Sequence, residues 1–347
     1  MKRVRVGVVG AGWWATFAHL PLLASHPDAE LVGIADRSLA RAREAATAFG
    51  ATHAVDDHRE LLAAGVDAVI VATPHDAHHA PARDALEAGA HVLIEKPMVL
   101  DPRHGHELVE LARARGRQLH VGYPFPYTRH CRLLRDRIEA GDLGRIVFAS
   151  GLFATAMLPL LQGQVGAAAA AGFAVAPDAD TYADPDRGGG QAFTQLTHAV
   201  SLILFLTGLE PEHVLGVSGR PDDVAVDVWN ALAFRTAAGA VASIGSVGTV
   251  VAQEQRVEEY RIFGTEGHAL LQTHAGTLTL VGGDGTAQHE RALADDEIYP
   301  FQAPCRRLID ATLGREPVLV PGELGAATAE LVWAALESAA PTEITRG

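Results

Sequence analysis

The chain has 347 residues, more than one ordinary hydrophobic core organises, so two domains are expected. Apolar residues make up 48% and charged ones 20%, which leaves ample material for burial in a globular protein. A net charge of -14 argues against nucleic acid or an anionic membrane as partner, and no apolar run approaches the ~18 residues that cross a bilayer, so a cytoplasmic protein without signal peptide or membrane helix is expected.

Val4 to Val9 is a β-branched apolar run that breaks into Gly10-Ala11-Gly12, a strand feeding a tight turn. The spacing Gly10-x-Gly12-x-x-Ala15 is a dinucleotide fingerprint. One glycine makes the turn, one lets a pyrophosphate approach the backbone, and the small Ala15 lets helix and strand pack closely. The helix that follows, opening with Trp13 and Trp14, points free N-H groups at the phosphates. Glu30 to Asp36 reads as a second strand ending in an acid, where a carboxylate can hold ribose hydroxyls. Asp36 favours NAD because it repels a 2'-phosphate, whereas Arg37 beside it leaves NADP open.

Further along, Ser38 to Phe49 is a helix capped by Ser38 and stopped by Gly50, His53 to Val55 a short strand, and Asp57 to Ala64 a helix. Asp67 to Thr73 is a buried strand closed by Pro74, His78 to Ala88 a helix, and His91 to Glu95 a strand. Asp101 to Arg115 is a helix ended by Gly116, and Gln118 to Gly122 a last strand. This alternation predicts an α/β, doubly wound parallel sheet over residues 1–122.

At Tyr123-Pro124-Phe125-Pro126-Tyr127 the composition changes, and a second, α+β domain is expected over 123–347. It begins with a basic amphipathic helix from Tyr127 to Ala140 and a strand from Arg145 to Phe153. Residues 158–187 form an irregular connection with an alanine run at 167–171 and an acidic tail, as a lid or mobile loop would. Gly188 to Leu206 reads as three glycines followed by an apolar helix. Period-two segments between His213 and Val281 predict an antiparallel meander, and Gln302 to Gly314 and Gly322 to Ala339 predict helices. Cys131 and Cys305 stand apart without a CxxC, so reduced thiols are expected.

The order of these parts resembles the Gfo/Idh/MocA family of nicotinamide-dependent oxidoreductases along essentially the whole chain. The motifs that carry the resemblance are Glu95-Lys96-Pro97, Gly10-x-Gly12, Thr73-Pro74-His75-x-x-His78, Phe263-Gly264-Thr265-Glu266-Gly267, and three glycines at 188–190 ahead of His198. The resemblance implies a Rossmann domain joined to an open, mainly antiparallel sheet that often builds a dimer or tetramer. It also implies a polyol substrate, most often a sugar, sugar acid or cyclitol.

At the end of its strand, the Lys96 ammonium could hydrogen-bond a reacting hydroxyl, stabilise the alkoxide and, with a pKa lowered by burial, carry the proton. Pro97 would hold the backbone that aims it, and Glu95 would be its neighbour. The resemblance makes His198 the usual general acid or base, and places the Pro74 to His78 turn beside the cofactor and Tyr127 beside the substrate. Where the family commonly carries Asp, this chain has Thr194 and Ser201, so His198 lacks a carboxylate one helical turn away. Three arrangements stay open: Lys96 does most of the proton work, Thr194 and Gln195 bind substrate by hydrogen bonds, or Asp180, Asp184 or Asp186 substitutes. The cluster His75, His78, His79 has no Cys or suitably spaced acid, and a metal is not expected. A dehydrogenase or reductase leads. A lyase or glycosidase with transient oxidation, and a non-catalytic dinucleotide-binding regulator, stand as alternatives.

Overall fold

The computed structural model describes residues 3–165 and 175–338, and the alanine run and residue 339 lie outside them. Six strands, β1 (Val4–Val9), β2 (Ala29–Ala35), β3 (His53–Val55), β4 (Ala68–Val71), β5 (His91–Ile94) and β6 (Leu119–Val121), form a parallel sheet in the order β3-β2-β1-β4-β5-β6. Helices cover both faces, which is why β4 and β5 read as nearly unbroken apolar runs. The order reverses between β1 and β4, and that switch point leaves a crevice at the carboxyl ends of the strands. Caps fall where the sequence places them. Ser38, Asp57 and Asp101 accept from the backbone N-H groups of Arg41, Arg59 and Arg103, and Gly50 and Gly116 end their helices with φ of 75° and 61°.

The second sheet has eight strands: β7 (Ile146–Ala154), β8 (His213–Gly219), β9 (Trp229–Arg235), β10 (Val241–Val247), β11 (Val257–Gly264), β12 (Gly267–Gln272), β13 (Thr277–Gly282) and β14 (Ala287–His289). They lie in the order β14-β13-β12-β11-β7-β10-β9-β8. The predicted meander is therefore interrupted. β7 is inserted between β10 and β11 and runs parallel to β10, because residues 248–256 cross over instead of closing a hairpin. The apolar helix Thr197–Thr207 covers the inner face, and the outer face keeps Leu215 and Val217 exposed at 73% and 60%.

Two predicted helices start later than expected. Pro124 and Pro126 hold Phe125–Tyr127 in a tight turn, so the basic helix runs Arg129–Glu139, capped by Thr128 accepting from Cys131 N-H. After the three glycines one π-helical turn, Ala192–Leu196, precedes the regular helix. The chain after 123 is not confined to the second sheet. The helix Ala303–Thr312 returns to β4 and β5, where Cys305, Leu308 and Ile309 join the core of Val6, Val8 and Ile70. The final helix, Gly322–Glu337, packs on both the helix Pro102–Arg115 and β8, tying the two sheets together.

Candidate active site

A cavity of about 1170 Å³ opens between the carboxyl ends of the parallel strands and the inner edge of the second sheet. At one end the fingerprint turn makes its floor. Gly10 has a φ of 101°, and a Cβ there would strike the Ala72 carbonyl, so no other residue allows β1 and β4 to close this tightly. A Cβ at Gly12 would meet nothing within 4 Å, so its backbone faces open cavity, as a pyrophosphate requires. Trp13 and Trp14 line the cavity beside it, while Ala15 is fully buried against the strand.

At the end of β2, one oxygen of the Asp36 carboxylate accepts from Ala11 N-H at 2.9 Å, and the other accepts from Ser38 N-H at 2.8 Å and Arg41 at 3.1 Å. The first oxygen keeps a lone pair for a ribose hydroxyl. Arg37 and Arg41 both line this end, and the Arg41 pair offsets part of the repulsion a 2'-phosphate would meet. Helix start, open glycine and acid together fit a nicotinamide dinucleotide.

Deeper in, Lys96 is half-buried just past the end of β5, and its peptide bond to Pro97 is cis. Its ammonium donates to the Thr194 carbonyl in the π-turn at 3.0 Å. Burial brings its pKa down to about 8, with the Glu95 carboxylate opposing. Glu95 lies against Gly122, where a Cβ would sit 2.7 Å from both carboxylate oxygens. Burial is the largest single influence and pushes the Glu95 pKa up, but His19 at 2.8 Å, together with Trp14 and the Lys96 ammonium, outweighs it, and the acid stays below its usual range. His19 comes from another π-turn, Ala15–His19, and nothing in its sequence spacing points to that role.

His198 lines the same cavity, sandwiched in aromatic edges and faces. It stacks on Phe153 at 5.3 Å and meets Tyr123 and Phe125 edge-on at 5.7 and 5.8 Å. Among the described residues its Nδ1 has no hydrogen-bond partner. Burial, and then the Lys96 ammonium, hold its pKa well below the usual imidazole value, so the ring is neutral in the working pH range.

The remaining candidates divide. Gln195, Thr73 and Pro74 line the cavity. His78 sits with its ring nitrogens 2.8 and 2.9 Å from the Pro97 and Thr73 carbonyls, and burial lowers its pKa, so the neutral ring donates to one at a time. Burial takes His75 down to about 3, and its Nδ1 donates to the Gly188 carbonyl at 3.0 Å. The Thr194 side chain turns inward instead, donating to the Gly190 carbonyl at 2.6 Å, and only its own carbonyl meets Lys96. Tyr127 packs near Arg307 and is not in the cavity wall, nor are Asp180, Asp184 and Asp186. Among the described residues no group of three His, Cys, Asp or Glu side chains converges as metal ligands would.

Several wall residues belong to no sequence motif. The Tyr182 hydroxyl accepts from the Trp13 indole at 2.9 Å, and its ring meets His75 edge-on, drawing residues 178–188 across the cavity. Glu258 enters from β11, with Arg256 just before that strand and Thr155 just after β7, and no local pattern marks them.

Residues 4–123 match the model of the oxidoreductase family with an NAD-binding Rossmann fold, and residues 131–270 match the GFO/IDH/MocA C-terminal domain. The chain belongs to the Gfo/Idh/MocA oxidoreductase family. Within the family it is 33% identical over 144 residues to a D-glucoside 3-dehydrogenase of Escherichia coli, a match spanning 41% of each chain. It is 29% identical over 270 residues to a dTDP-3,4-didehydro-2,6-dideoxy-alpha-D-glucose 3-reductase of Streptomyces antibioticus, covering 78% of this chain and 75% of that one. The fold is that of GenD2 from gentamicin A biosynthesis, solved in complex with NAD, with a TM-score of 0.78 at 24% identity over 97% of this chain and 94% of the other.

Proposed function

We propose that this family member transfers hydride between a nicotinamide cofactor and a ring hydroxyl or ketone of a sugar, sugar derivative or cyclitol. The observation that carries this is the Lys96 amine, poised near pH 8 and held by the Thr194 carbonyl in the cavity that also contains the fingerprint turn. The similarity to proteins named as a glucoside dehydrogenase and a deoxysugar reductase supports a sugar. When bound, the nicotinamide takes up or returns the hydride. In oxidation the neutral Lys96 amine accepts the hydroxyl proton, and in reduction the ammonium returns it. As an ammonium it also steadies negative charge on the substrate oxygen. His198, neutral and without a carboxylate, hydrogen-bonds and orients the substrate and leaves the proton to Lys96. This favours the first of the three arrangements open at the level of sequence.

The test is a panel of sugars and cyclitols followed by NADH or NADPH absorbance. Net reduced cofactor with at least one polyol is the expected result. Product without net NADH would instead indicate transient oxidation in a lyase or glycosidase, and tight NADH binding without turnover of any polyol would refute the reading. The outer face of the second sheet, with Phe148, Leu152, Trp229, Val241 and Phe263 exposed, supports a homo-oligomer through that sheet, to be checked by light scattering. Two buried free thiols support a reducing, cytoplasmic setting.

A further inference from the structure

The second-sheet end of the cavity is built around Glu258. Its neighbour across β7 is Phe153, and directly opposed residues of antiparallel strands share a face, so Glu258 lies one strand from the ring that stacks on His198. The carboxylate accepts from Thr273 Oγ1 at 2.9 Å and pairs with Arg256 at 3.5 Å, and both Arg256 and Glu258 line the cavity. Asp295 and Asp296 also line the cavity, as does Asp178, which pairs with Arg187 at 3.2 Å. Of the cations along the cavity, Arg256 is taken by Glu258, Lys96 stands at the reaction centre, and Arg37 and Arg41 lie at the Asp36 end. Residues 166–174, outside the described structure, carry no charged side chain in the sequence. Two independent polar atoms mark where a ligand would bond. Thr155 Oγ1 and His198 Nδ1 are without partners among the described residues, each in a side chain only 4% exposed, and both residues line the cavity. A buried hydroxyl or ring nitrogen left unpaired is costly, and a substrate hydroxyl reaching it restores the bond.

Resting on the hydride-transfer reading above, the geometry points to a substrate that is a free sugar or glycoside, read by Glu258, Thr155 and His198, and not a sugar joined to a nucleoside diphosphate. Carboxylates accept from sugar hydroxyls, whereas the two phosphates of a nucleotide sugar would meet Glu258, Asp295 and Asp296 with no guanidinium at that end beyond Arg256, which already faces the Glu258 carboxylate. The charge pattern therefore works as selection against the phosphorylated alternative as well as for the hydroxyl-rich one.

The experiment titrates methyl β-D-glucopyranoside, glucosamine and UDP-glucose into the NADH-bound protein by calorimetry, a dead-end complex that reports binding without turnover, and repeats it with E258Q and T155V. The expected result is binding of at least one of the two free sugars, with UDP-glucose bound at least tenfold more weakly. E258Q should weaken free-sugar binding about tenfold to a hundredfold. It should leave NADH affinity and the melting temperature near wild type. T155V, nearly isosteric, should weaken sugar binding about tenfold. Preference for UDP-glucose, binding of neither free sugar, or unchanged sugar affinity in both variants overturns the proposal. A loss confined to the melting temperature of E258Q, with sugar affinity intact, assigns Glu258 to the fold and also overturns it. Turnover in the NADH absorbance assay tests the hydride reading separately, so failure of either is seen without the other.

Discussion

Replacing Lys96 with methionine keeps much of the side chain's length and apolar stem while deleting its ammonium. The wild-type amine makes a 3.0 Å hydrogen bond to the Thr194 carbonyl and titrates at about 8, lowered by burial. If it is the group that exchanges the proton, its loss removes about 10² to 10⁴ in rate, or about 3 to 5 kcal/mol of barrier. Cofactor affinity should stay within about threefold, because the fingerprint turn and Asp36 carry that binding and Lys96 touches neither. Oxidation needs the neutral amine, so wild-type kcat/KM should climb about tenfold between pH 7 and 9, levelling above the pKa. Reduction needs the ammonium and should show the opposite limb. The assay is steady-state NADH absorbance against pH on the best sugar of the panel, with quenching of Trp13 and Trp14 fluorescence reporting NADH binding and a melting curve reporting the fold. A K96M protein that is folded and retains kcat within fivefold, or that keeps the limb near pH 8, would refute the assignment.

His198→Asn should lower kcat/KM about tenfold by removing a substrate hydrogen bond, yet leave the limb near pH 8 where it is. A pH profile in which that limb vanishes would move the proton to the imidazole. Asp36→Ala deletes a ribose acceptor and the bond from Ala11 N-H, so KM for NAD should rise about tenfold to a hundredfold. The NADP to NAD preference should shift toward NADP as the carboxylate's repulsion is lost and Arg41 is released beside Arg37, and parallel kinetics with both cofactors check this. Gly122→Ala places a Cβ 2.7 Å from both Glu95 oxygens and should destabilise by about 1 to 3 kcal/mol. Calorimetric melting should show the loss, together with reduced kcat as the Glu95 carboxylate is pushed from its place beside Lys96. An unchanged melting temperature counts against that packing.

The sequence by itself determined the parallel sheet, the cofactor turn, the ribose acid and the lysine at a strand end. Each of these is written in a short contiguous stretch: an apolar run ending in Gly10 and Gly12, another ending in Asp36, and Glu95-Lys96-Pro97 closing a third. Caps such as Ser38 and Asp101 are local for the same reason. Only the tertiary structure decided the second-sheet wall of the cavity. Period-two alternation says that Phe153 and Glu258 each face one side of a strand, but not that β7 is inserted between β10 and β11 and opposes the two residues. It likewise decided that Thr194 offers Lys96 its carbonyl instead of offering substrate its hydroxyl, because a π-turn and the Gly190 carbonyl set that orientation. His19 reaches Glu95 through a second such turn, and a one-residue change in helical phase leaves no trace in the pattern of residue types. Local composition specifies elements, and pairing between distant strands specifies which side chains meet in the cleft.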